Sequence, residues 1–70
     1  MYTNEDFLKQ FGKRIQDFRK QLGLSQEELA HRAGFHRTYI GMIERGERNI
    51  TLSNLLKLSK ALKIDIKELF

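Results

Sequence analysis

Arg37, Thr38, Gly41, Met42 and Arg45 fall at i, i+1, i+4, i+5 and i+8 within "GFHRTYIGMIERGERN", residues 34–49. At 3.6 residues per turn these positions share one face of a helix, and Ile40 and Ile43 take the other. The chemistry on the first face is that of base-edge contact. Arg37 can donate two parallel hydrogen bonds to guanine O6 and N7. Thr38 can donate or accept at a base edge, or rest its methyl on that of thymine, and Met42 offers a flexible apolar contact. Arg45 and Arg48, where the chain leaves the helix, suit phosphate oxygens, which position a protein without reading sequence. Asn49 stands beside Arg48 and joins that phosphate-contacting group. His36, just ahead of the helix, is either a poor cap or a further contact to the bases. Gly41 is the anomaly, because a mid-helix glycine costs about 1 kcal/mol relative to alanine. On an outward face, its missing side chain would let the helix backbone sit close to the bases.

Such a face needs a scaffold, and the spacing predicts five helices and no strand. Phe7, Phe11, Ile15, Phe18 and Leu22 repeat every three or four residues and predict a first helix from Glu5 to Leu22, capped by Thr3 or Asn4 and stopped by Gly23. Ser25 and Glu28 have the spacing of a capping box and open a second helix, whose inner face is Leu29, Ala30 and Ala33 and whose stop is Gly34. The third runs from Arg37 to about Arg45, with Gly46 behind it. Thr51 caps a fourth, Leu52 to about Leu62, whose apolar stripe is wide enough to pack on two sides. Asp65 and Glu68 repeat the capping-box spacing for a short fifth.

Two short helices joined by a glycine-containing turn are the helix-turn-helix pattern, in which the second helix lies in the DNA major groove and the first crosses the backbone. Gln26 then opens the first of the pair, where free amides and the positive end of the helix dipole favour a phosphate.

At these residues "LGLSQEELAHRAGFHRTYIGMIERGERNITLSNLLKLSKAL", residues 22–62, resembles the Cro and phage-repressor type of helix-turn-helix domain, the XRE family. The resemblance implies an all-α, compact five-helix, lambda-repressor-like domain that binds operator DNA as a dimer. Carried over by position, it places Gln26 at a phosphate-clamping glutamine. Arg37, Thr38, Gly41 and Met42 fall at base-reading positions, and Tyr39, Arg45 and Arg48 at backbone contacts. It also implies a salt bridge between Arg19 and Glu44 that ties the first helix to the third. The chain departs from the pattern at His36, where serine or threonine is common, at Ile50, where proline is common, and at Lys63, where glycine commonly ends the fourth helix.

Composition bounds the alternatives. Seventy residues make one domain, 1–70, with the helix-turn-helix at about 25–45 and the last two helices at about 52–70. A chain of 8.3 kDa has a small core and little room for an enzyme cleft. There is no cysteine, hence no disulfide and no thiolate metal site. His31 and His36 lie across a turn with no third ligand, so no metal and no cofactor is expected. Ser25 is a cap and has no base to activate it, and the chain is not expected to be an enzyme. No apolar run reaches the ~20 residues that span a bilayer, and no signal-peptide pattern opens the chain, so a cytoplasmic protein without a membrane partner is expected. The net charge of +4 favours a polyanion.

The apolar excess near the C-terminus, Leu58, Ile64, Ile66, Leu69 and Phe70, suggests a homodimer interface around the last two helices. The expected function is sequence-specific transcriptional regulation through double-stranded DNA, with no small-molecule ligand. The small form resembles the controller proteins of restriction–modification systems, with Cro-like repressors and antitoxins nearly as compatible. The reading from another class is a protein-interaction module whose basic face docks an acidic partner.

Overall fold

A computed structural model describes residues 4–70. Four α-helices follow one another: α1 (Asn4–Gln21), α2 (Gln26–Ala33), α3 (Arg37–Glu44) and α4 (Leu52–Leu62). The fifth expected helix is a single 3-10 turn, Ile66–Leu69, and there is no strand among the described residues. Asn4 lies inside α1 rather than capping it, and Thr3 lies outside the described residues.

The helix ends follow local chemistry. Ser25 Oγ accepts from the Glu28 amide at 3.0 Å, while Glu28 Oε1 accepts from the Ser25 amide at 2.9 Å. The α2–α3 turn is closed by Gly34 in the left-handed region and by a 2.8 Å hydrogen bond from the Phe35 amide to the Ala30 carbonyl. Thr51 Oγ1 caps α4 by accepting from the Asn54 amide at 3.1 Å. At the far end Lys63 takes φ 59°, the left-handed conformation that glycine takes without penalty and that costs other residues roughly 1–2 kcal/mol. The Asp65 amide donates to Glu68 Oε2 at 2.8 Å, and this pair opens the 3-10 turn.

Every helix contributes to one core. It contains Phe11 and Ile15 of α1, Leu29, Ala30 and Ala33 of α2, Ile40 and Ile43 of α3, Leu55, Leu58 and Leu62 of α4, and Leu69. α3 lies against both α1 and α2, so its inner isoleucines are covered from two directions and its opposite face is held outward. The α1–α3 crossing is very close. A Cβ at Gly12 would collide with the backbone carbonyl oxygens of Ile43 and Glu44.

Three apolar expectations change. Phe7 and Leu22, placed on the buried face of the first helix, are 47% and 39% exposed, and Leu22 lies just beyond the end of α1 at Gln21. Leu58 and Leu69, assigned to a subunit interface, are fully buried in this chain's own core and offer no surface to a second copy. Of the other residues in that set, Ile64 and Ile66 pack partly against the core, and Phe70 is exposed. The second side of α4 carries Leu52 and Leu56, 67% and 45% exposed.

Candidate nucleic-acid interface

α3 begins at His36, whose Nδ1 accepts from the Thr38 amide at 3.1 Å. The imidazole therefore takes the capping role usually filled by a serine or threonine oxygen, and its ring stays at the surface. Arg37 and Thr38 follow, both exposed on the first turn. Met42 is half-buried one turn further on. Arg45, Arg48 and Asn49 are exposed where the chain leaves α3. That exit is sharp, with Gly46 at φ 75° and the Glu47 amide donating to the Met42 carbonyl at 2.9 Å. Only glycine fits at 46, since a Cβ there would also meet the Lys9 backbone at 2.8 Å.

The underside of this surface is a buried polar network. Glu44 Oε2 accepts from Arg19 Nε at 2.6 Å, and Oε1 accepts from Arg19 Nη2 at 3.0 Å. Arg19 Nη1 donates to the Leu24 carbonyl at 2.8 Å, which ties the loop before α2 to the same cation. Gln26 Nε2 at 3.0 Å and Gln16 Nε2 at 3.4 Å complete the shell around Glu44 Oε1. One carboxylate thus joins α1, the α1–α2 loop, α2 and α3, and among the described residues no buried side-chain nitrogen or oxygen lacks a partner. Gln26 is half-buried with its amide nitrogen turned to Glu44, a contact the sequence reading did not anticipate.

Gly41 also differs from expectation. It is buried, not open on the outward face. The space above it is filled by the ends of two long side chains: a Cβ at this position would lie 3.1 Å from Arg45 Nη1 and 3.6 Å from Gln26 Oε1. Helical spacing placed the residue on the correct side, but it cannot show which neighbouring side chains fold back over it.

A second cluster sits beside α3. The Tyr39 ring packs edge-on against Phe35, with centroids 5.0 Å apart, and the Arg48 guanidinium lies 5.5 Å from the Tyr39 centroid. Asn54 Nδ2 of α4 donates to the Tyr39 hydroxyl oxygen at 3.0 Å, leaving the phenolic proton free to donate. Lys57 stands 5.8 Å from the Phe35 ring. Asn54 was not singled out in the sequence as a partner of this cluster, because only the packing of α4 brings its side chain beside Tyr39.

The remaining missed residue is Glu47. Its carboxylate accepts from Arg45 Nε at 2.8 Å and from Nη2 at 3.1 Å. These hydrogen bonds hold the Glu47 carboxyl below its ordinary pKa and push the Arg45 guanidinium above its own. An arginine and a glutamate two residues apart across a glycine turn were the available sequence signal.

This geometry gives two short helices at a tight turn, the second anchored from below and carrying Arg37 and Thr38 into solvent. It can present hydrogen-bond donors to base edges while surrounding cations meet phosphates. Among the described residues no group of three His, Cys, Asp or Glu could hold a metal ion, and no helix is long and apolar enough to cross a membrane.

The chain belongs to the helix-turn-helix family of XRE type, DNA-binding transcriptional regulators, whose model matches residues 15–69. Among its relatives is control protein C.SmaI of Serratia marcescens, 45% identical over 64 residues that cover 91% of this chain and 76% of that protein. In three dimensions the chain resembles the restriction-modification controller protein C.AhdI from Aeromonas hydrophila, with a TM-score of 0.89 and 51% identity over 90% of this chain and 96% of that one. It also resembles the biofilm-formation regulator SinR, whose structure was solved in complex with DNA, with a TM-score of 0.81 and 37% identity over 84% of this chain and 95% of that one.

Proposed function

We propose that this protein is a restriction–modification controller, a sequence-specific regulator that binds a two-fold symmetric operator as a homodimer. The observation that carries the DNA contact is the exposed first turn of α3, with Arg37 and Thr38 projecting from a helix held rigidly from beneath by Glu44 and Arg19. His36, Arg37, Thr38 and Met42 read base edges in the major groove, and Gly41, without a side chain, leaves room for the ends of Arg45 and Gln26 to lie against the helix beside them. Gln26, Tyr39, Arg45, Arg48 and Asn49 bind the backbone on either side. The similarity to control proteins over nearly the whole chain favours the controller assignment over other regulators of the family.

The dimer reading rests on apolar surface the fold leaves uncovered. Phe7, Phe11 and Phe70 stack with centroids 5.8–6.4 Å apart, and Phe7 and Phe70 remain about half exposed. With Leu52 and Leu56 on α4, these side chains are the surface from which a second copy would remove water. Two recognition helices then enter successive major grooves about 34 Å apart.

Selection of bound sites from a random duplex pool tests the reading. A symmetric enriched site is expected, and an Arg37→Ala variant should relax selection at one base pair per half-site at a cost of about 1–3 kcal/mol. No enriched site would overturn the regulator assignment. Uniform loss of affinity across sequences in Arg37→Ala would move Arg37 to the phosphate-contacting group.

A further inference from the structure

Glu47 is an exposed carboxylate set between Arg45 and Arg48, in the middle of the surface read above as the DNA interface. Its backbone is not free to move it away. The Glu47 amide is fixed to the Met42 carbonyl, and Gly46 is wedged against Lys9. From that fixed point it grips Arg45 through Nε and Nη2, the parallel donor edge that also fits a phosphate. The remaining nitrogen, Nη1, lies over Gly41 beside Gln26 Oε1. The Arg45 side chain is thereby laid back along α3, with its best phosphate-binding edge already filled by an internal anion.

We infer that Glu47 is a selectivity-setting residue: it neutralises Arg45 and so restrains binding to DNA of random sequence. Non-specific association is almost wholly a count of phosphates neutralised by free cations. On random DNA an arginine closed on its own carboxylate drops out of that count. Arg45 meets the backbone only where the operator complex seats a phosphate well enough to displace the exposed Glu47 carboxylate. Arg37, which makes no such pair among the contacts described above, is left to act through the bases. This inference rests on the DNA-interface reading of α3, and the measurements below separate the failure of one from the failure of the other.

The experiment is a salt titration of wild type, Glu47→Gln, Arg48→Gln and Glu5→Gln binding to a random-sequence duplex, with circular dichroism to confirm that each is folded. Glu47→Gln keeps the side-chain volume but frees the Arg45 charge. It should tighten binding and steepen the slope of log affinity against log salt by about 0.9 per protomer in contact. Its advantage over wild type then shrinks about 3.5-fold per protomer between 50 and 200 mM salt. Glu5→Gln makes the same change in net charge at the start of α1 and should leave the slope unaltered. If Arg48→Gln flattens the slope while Glu47→Gln matches wild type, the inference is overturned and the interface reading stands. The inference is equally overturned if Glu5→Gln steepens the slope as much as Glu47→Gln, for then only net charge matters. If wild type binds no duplex at low salt, both fall together.

Discussion

The Glu44 carboxylate of α3 receives the Arg19 guanidinium of α1 through hydrogen bonds of 2.6 and 3.0 Å, with the two side chains only 1% and 10% exposed. Removing one partner strands the other charge out of reach of water, which costs about 3–5 kcal/mol. For a small domain this is a large part of the total stability. Glu44→Ala should therefore unfold at much lower urea than wild type. An Arg19→Met/Glu44→Leu double variant should recover only part of the loss. Replacing a buried pair by apolar groups is often close to neutral, but here it leaves the Leu24 carbonyl and the Gln26 amide without their partners. Urea unfolding followed by circular dichroism measures both.

The closeness of α1 and α3 at Gly12 predicts a second cost. Alanine is the better helix former by about 1 kcal/mol. Here its methyl would meet backbone carbonyls, which cannot swing aside as a side-chain end can. Gly12→Ala should destabilise by about 1–3 kcal/mol through forced separation of the helices. An unfolding midpoint at or above that of wild type would show that the crossing yields more easily than its geometry implies.

Lys63 holds the only positive φ outside glycine among the described residues. Lys63→Gly removes the strain and should stabilise the fold by roughly 1 kcal/mol. In a domain of this size that raises the melting temperature by about 4–8 °C. The thermal midpoint is the readout, and it should not fall.

The capping box makes part of the stability pH-dependent. Backbone and side-chain hydrogen bonds with Ser25 hold the Glu28 carboxyl below its ordinary value of 4.5. A carboxyl with a lowered folded pKa binds fewer protons folded than unfolded. Its stabilisation is thus fully present above pH 4.5 and is lost as pH falls through the lowered folded value. Glu28→Gln keeps a capping group but does not titrate. The stability difference between wild type and this variant should be constant near neutrality and should close as pH drops below about 4.5. A difference that stays flat into acid would show that the carboxylate contributes nothing through its charge.

Helix boundaries were legible because they depend on neighbours in sequence. Ser25 with Glu28, Thr51 as a cap and the glycine at 34 act within three or four residues, and α2 starts and stops, and α4 starts, where those residues place them. The inner face of α3 was equally readable from Ile40 and Ile43. The Arg19–Glu44 pair, 25 residues apart, was not readable from periodicity and came only through resemblance to a family. Leu58 and Leu69 show the opposite limit: as leucines in an apolar stretch they looked available to a partner, yet both are consumed by this chain's own core.

By itself, then, the sequence determined an all-helical chain with a helix-turn-helix and the residue types presented by α3, because hydrophobic period and capping are local and repeat along the chain. Only the tertiary structure decided that Gly41 lies beneath Arg45 and Gln26, that Gln26 turns its amide to Glu44, and that Glu47 closes on Arg45. Long polar side chains have many rotamers of similar energy, and a linear pattern cannot choose among them. The choice follows from which donors and acceptors the packed helices bring within hydrogen-bonding distance.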